Sequence, residues 1–189
     1  MAKLHRIRSD YEAVHHGGQR GLGGIIWIVL HDMESTNYTR AAENTGAWFE
    51  MQASGGSTHY GVDNDSIQRY LAITTVAYGA PWANEEGVHI EQMGVARWTR
   101  AQWMSKAAGT LDNCAWLIAR IHNRLDMVHN TVPIQRLTDE QVRHHAKGVV
   151  THRQLTRALG VGTHTDPGSG YPIAYVIDLA KKYHAEGAK

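Results

Sequence analysis

The sequence predicts one α/β domain, a central mixed β-sheet flanked by helices. Three observations predict it. A short apolar, β-branched run, "IIWIVL" at 25–30, reads as a strand buried on both faces. Between about 57 and 94 several strand-like segments are separated by turn signals, and from about 100 to 126 apolar residues recur at three- and four-residue steps. A chain of 189 residues buries a sizeable core without disulfide or metal staples.

Taken in order, residues 1–24 are polar and end in "GGQRGLGG", which predicts a flexible lead-in or linker, with His15 and His16 solvated, ahead of a folded domain at 25–186. The strand at 25–30 follows, and His31 lies at its carboxyl end, where ligands collect in open sheets. "TRAAENTGAWFEMQA" (39–53) reads as a helix packing Ala41, Ala42, Trp48, Phe49 and Met51, weakened by Gly46. "VDND" suits a turn between two strands, the second being "IQRYL". "GVHIEQMG" (87–94) alternates as a strand, so His89 and Glu91 share a face. The helix over 100–126 covers the sheet with Leu111, Cys114, Ile118 and Leu125 among its apolar positions. "LTDEQVRHHAKG" predicts a helix with Thr138 as N-cap, His144 and His145 in its last turn and Gly148 as its stop. Pro172 opens a final helix.

Composition narrows the function classes. The 19 Lys plus Arg and 18 Asp plus Glu nearly cancel, which argues against a nucleic-acid binder. Cys114 is the only cysteine, excluding a disulfide framework and a cysteine-rich zinc site; on an apolar helical stripe it reads as a buried structural thiol. No run approaches ~18 apolar residues and the N-terminus lacks a secretory signal, so the expectation is a soluble protein made in the cytoplasm, with no membrane insertion. Thirteen histidines prompt a metal search.

That search converges on His31, on His152 in "GVVTHRQL" and on Asp166 in "THTDPG". Catalytic zinc takes three such ligands and keeps a fourth position open, although two histidines and a carboxylate also serve some iron sites, so residue types alone leave the metal open. His164, two residues before Asp166, can face the same centre from an extended segment, and Pro167-Gly168 turns the chain away. Glu34 falls three residues beyond His31 and reads as a surface or supporting residue rather than a ligand.

"IVLHDMES" at 28–35, "STHYGVD" at 57–63, "GVHIEQMG" at 87–94, "VVTHRQL" at 149–155 and "HTDPG" at 164–168 resemble, in order and spacing, the signature blocks of zinc-dependent N-acetylmuramoyl-L-alanine amidases, the family that includes phage endolysins and peptidoglycan-recognition proteins. The resemblance spans about 25–180 and implies one Zn2+ held by His31, His152 and Asp166, with Glu91 handling the attacking water. His164 stands where the family commonly has an oxyanion-steadying Lys, which implies activity that depends on pH near neutrality. Thr58 replaces a frequent Tyr, which argues against a tyrosine-assisted variant. His59, Tyr78, Trp82 and His89 are candidates to line the substrate groove, with burial as the alternative for the two histidines. The implied substrate is bacterial peptidoglycan, and the implied protein is a monomeric endolysin module that accumulates in the host cytoplasm and acts at the cell wall. A muropeptide-recycling amidase and a non-catalytic wall-binding module are the alternatives.

Overall fold

The computed structural model describes residues 5–188. Among these residues eight strands are formed: β1 (Ile7–Arg8), β2 (His16–Gln19), β3 (Trp27–Leu30), β4 (Tyr60–Val62), β5 (Ile67–Arg69), β6 (Thr75–Ala77), β7 (Gly87–Gln92) and β8 (Gly148–Thr151). Six of them make one mixed sheet in the order β1-β5-β4-β7-β3-β8, and β2 pairs with β6 in a separate ribbon. β4, β7, β3 and β8 run parallel, while β5 returns antiparallel to β4 through the "VDND" turn. The helices are α1 (Ala41–Phe49), α2 (Arg100–Lys106), α3 (Ala108–Asp126), α4 (Asp139–Arg143), α5 (His152–Leu159) and α6 (Ile173–Ala185).

Strand alternation divides the sheet's two faces by chemistry. Ile28, Leu30, Val88, Ile90 and Val149 point into the larger core, which α3 and α6 complete with Leu111, Cys114, Ile118 and Val176. Trp27, Val29 and Val150 point the other way, into a smaller cluster with Val142 and Leu155. Continuing that second face by two residues reaches His31 and His152, so the period that builds the core also delivers both histidines to one end of the sheet. Cys114 is buried and free, and burial pushes its thiol up to about 12, which leaves it inert.

Residues 5–24 are no loose lead-in. β1 pairs in parallel with β5, Ala13 is buried and its N–H donates to Tyr70 O, and β2 joins β6. Arg20 explains why so polar a segment packs: its guanidinium donates to the carbonyls of Ile73, Asn84, Glu85 and Gly87 at 2.8–3.0 Å, tying the β6–β7 loop to the N-terminal segment. Burial lowers its pKa to about 10, so it stays charged at neutral pH. Arg20→Ala leaves those acceptors without a donor and is expected to cost about 2–4 kcal/mol, read as the shift in a urea unfolding midpoint. A change under about 0.5 kcal/mol would show the loop needs no such tie.

Three helical expectations are corrected. The stretch from 100 to 126 breaks at Ala107, because Asn64 from the "VDND" turn inserts there: it accepts from the Thr110 N–H and hydroxyl and donates to Lys106 O, capping both helices. Gly109 permits the approach, since a Cβ there would lie 2.3 Å from Asn64 O. α4 has the capping box of Thr138 and Gln141 but ends at Arg143, and His145 leaves in a left-handed conformation to stack on Trp27. Gly148 therefore opens β8 rather than stopping a helix. In α1, Ala41, Ala42 and Phe49 are buried as expected, whereas Trp48 and nearby Met51 face outward.

Candidate metal centre

Each ligand candidate is set by a different piece of backbone. His31 follows β3, with its N–H bonded to Ile90 O. His152 is the first residue of α5, a helix whose N-cap Thr151 accepts from the Gln154 N–H. Asp166 lies in the loop after α5, anchored where the Arg153 N–H donates to its carbonyl. The loop turns sharply at Gly168, whose φ is 87° and whose absent Cβ would overlap Ala96 O at 1.8 Å. No other residue type lets that loop lie so close to the chain beneath it.

The three side chains converge. Nδ1 of His31 is 3.1 Å and Nδ1 of His152 3.2 Å from the Asp166 carboxylate, and the three potential ligand atoms lie within 4.8 Å of one another. His31 and His152 are buried, and Asp166 is partly open. Burial works to raise the Asp166 pKa, but the hydrogen bonds from His152 and His31 outweigh it and hold the carboxyl well below the usual range, so it is an anion at neutral pH. Two imidazole nitrogens and one carboxylate, open on one side, suit a single divalent ion.

The surroundings follow the same strand logic. His89 and Glu91 leave β7 on the face that carries His31. Burial pushes the Glu91 carboxyl well above its ordinary range, with Asp166 and Asp32 adding to the effect, and its Oε2 has no hydrogen-bond partner among the described residues. The His164 ring stacks on His152 at 3.9 Å between centroids, with Nδ1 3.7 Å from Asp166. Its pKa is lowered by burial and by His152. His59, His89, His31, His152 and His164 thus form one row of rings from the interior to the surface, which locates much of the chain's histidine excess. Beside its outer end, a cavity of about 60 Å³ is walled by Pro81, Trp82, Leu155, Val161 and the rings of His152 and His164.

A family model described as N-acetylmuramoyl-L-alanine amidase matches residues 22–169. The chain belongs to that family. No curated protein matches it in sequence. Among solved structures it is similar to the Staphylococcus aureus hydrolase AmiA in complex with its ligand, at 19% identity over 96% of this chain and 84% of that one, with a TM-score of 0.73. It also resembles a mutant endolysin from Bacillus subtilis (16% identity, 96% and 98% covered, TM-score 0.55) and wild-type Drosophila PGRP-LB (14%, 88% and 90%, 0.58). The fold expected from the sequence is therefore the one found, and the chain is a peptidoglycan amidase.

Within the amidase the remaining candidates separate. Trp82 is exposed and walls the cavity; Tyr78 is exposed but lies against Gly17, outside that cavity. His59 and His89 line no groove, because both are fully buried. His59 Nδ1 accepts the His89 N–H, so its proton is on Nε2 and goes to Thr75 O. Glu34 is exposed, accepts from the Ala96 N–H and is not one of the three clustered ligand candidates. His144 and His145 are exposed, and His145 pairs with Glu86 and stacks on Trp27 at the opposite end of the sheet.

Three participants were not anticipated from sequence. Asp32, buried beside His31, has its pKa raised to about 7 by burial above all. Gln92 and Tyr171 form a buried chain in which the Tyr171 hydroxyl donates to Gln92 Oε1 at 2.7 Å and Gln92 Nε2 donates to His31 O at 3.1 Å. It fastens the segment following Asp166 to the backbone of His31. A usable signal existed for Gln92: it is a polar residue on the otherwise apolar Val88, Ile90 face of its strand.

Proposed function

We propose that this amidase holds one Zn2+ at His31, His152 and Asp166 and uses it to hydrolyse the amide joining the lactyl group of N-acetylmuramic acid to L-alanine of the stem peptide. The observation that carries the reading is the convergence of two histidine Nδ1 atoms on one Asp166 carboxylate, open on the side of an exposed Trp82. When bound, zinc supplies a Lewis acid for the amide carbonyl and acidifies a water to a pKa of about 7. Glu91 takes the proton of the attacking water and returns it to the nitrogen as the carbon–nitrogen bond breaks. Its desolvated carboxyl suits this work, because a raised pKa lets it hold that proton between the two steps. His164 donates a hydrogen bond to the oxygen on which charge develops. With its pKa below the usual imidazole value it does so as a neutral ring at pH 7, and any gain from its charged form fades as pH rises through that lowered pKa. His164→Ala is expected to lower kcat about 10²-fold, with His164→Lys retaining more of it. Equal kcat in all three proteins would remove His164 from the reaction.

The role that fits is wall lysis by a monomeric endolysin, made in the host cytoplasm and acting on polymeric peptidoglycan. An endolysin is among the proteins that share this fold, and the exposed Trp82 beside His152 and His164 offers an aromatic surface for a large substrate. The test is a digest of purified peptidoglycan with and without chelator, assayed for new L-alanine amino termini and for new reducing ends. New alanine amines that vanish with chelator and return with zinc are expected. Sedimentation with the wall and no new ends of either kind would leave a binding module. A marked preference for soluble muropeptides over polymer would instead favour recycling.

A further inference from the structure

His89 has no part in the reaction proposed above, and at 0% exposure it cannot meet substrate. Yet its ring is held with unusual care. A Cβ on Gly79 would lie 2.9 Å from its Cγ and Nδ1, and a Cβ on Gly87 would lie 2.9 Å from its Nε2, so two glycines make the slot it occupies. The His59 ring stacks on it at an interplanar angle of 6°, and His59 Nδ1 takes the backbone N–H of His89 itself. Held this way, His89 Nδ1 sits 3.0 Å from His31 Nε2, while His31 Nδ1 faces Asp166 on the other side of its ring.

A neutral imidazole carries one proton, so a ring nitrogen that binds a metal obliges the other to be the N–H, and a buried N–H needs an acceptor. Among the described residues the hydrogen bond of His31 Nε2 goes to His89 Nδ1. We infer that His89 is a positioning residue whose Nδ1 accepts the Nε2–H of His31, fixing the tautomer and ring plane that turn His31 Nδ1 toward Asp166 and His152 as a metal donor. The proton of His89 is then on Nε2, which has no well-aligned partner among the described residues and lies beside the Ala83 carbonyl. A carboxylate in this place would add negative charge behind the ligand; a neutral imidazole orients His31 without doing so, and leaves the bound ion the stronger Lewis acid.

The inference rests on the zinc reading, and the test separates the two. The full chain, His89→Leu and His89→Asn are titrated with zinc against a chromophoric chelator at pH 7, with circular dichroism of the metal-free proteins to verify folding. His89→Leu removes the acceptor and is expected to weaken zinc binding about 10- to 100-fold. The amide oxygen of His89→Asn occupies roughly the place of Nδ1 and is expected to recover most of that loss. Long-range proton–nitrogen NMR of the zinc-loaded wild type, which needs no variant, is expected to show His31 protonated at Nε2 with Nδ1 bound to the metal. Metal on His31 Nε2, or zinc affinity unchanged in a folded His89→Leu, overturns the role of His89 alone. A wild type that binds no zinc overturns the centre and this inference with it.

Discussion

Asp166→Ala should abolish both zinc binding and turnover. The carboxylate lies between the two histidine Nδ1 atoms, so its removal takes away the anionic member of the proposed ligand set and leaves two buried rings without their shared hydrogen-bond partner. Amide cleavage is expected to fall by about 10³-fold or more, since the acidified water and the polarised carbonyl depend on the ion. Binding has its own readout: a ligand present at about 100 times its Kd stabilises a protein by roughly 2.7 kcal/mol, so zinc should raise the melting temperature of the metal-stripped wild type and leave that of the variant unmoved. A variant that still shows zinc-dependent stabilisation and cleavage would place the centre elsewhere.

Glu91→Gln should separate binding from chemistry. The substitution keeps the shape of a half-buried side chain whose Oε2, shielded from solvent, makes no hydrogen bond among the described residues, and desolvation already disfavours the charged form. Folding and zinc affinity are therefore expected to change little. Turnover should drop by about 10²- to 10⁴-fold, because an amide can neither accept the proton of water nor hand it to the departing nitrogen. The check is kcat and zinc affinity measured on the same preparation. Wild-type kcat in the variant would rule Glu91 out as the proton carrier, and lost zinc would recast it as a group that supports the ligands.

What was legible in the sequence was what repeats with a period or is marked by a turn residue. β3, β7, the hairpin around "VDND" and the long apolar helix were readable because alternation and three-to-four spacing report which side of an element is buried. His31, His152 and Asp166 were readable as strand-end and loop residues in recurring blocks, and the structure brings them together. The rest depended on contacts between distant residues. Nothing local marks Asn64 as the side chain that divides the 100–126 helix, or Arg20 as the donor that turns a glycine-rich start into part of the fold. For His59 and His89 the sequence left groove and burial both open, and the structure buries them, with Gly79 of the β6–β7 loop against His89 and Thr75 of β6 against His59. Position along a strand tells the face, not what lies over it.

The centre draws on segments made at very different times. His31 emerges early in synthesis, whereas His152 and Asp166 follow more than a hundred residues later, with Tyr171, which fastens the Asp166 segment to His31, later still. A nascent chain can make the segments of β3 and β7 while holding only His31 of the three proposed ligands. With the ligand set proposed above, copies that end before His152 are expected to show no cleavage of peptidoglycan, because they lack two of its three residues.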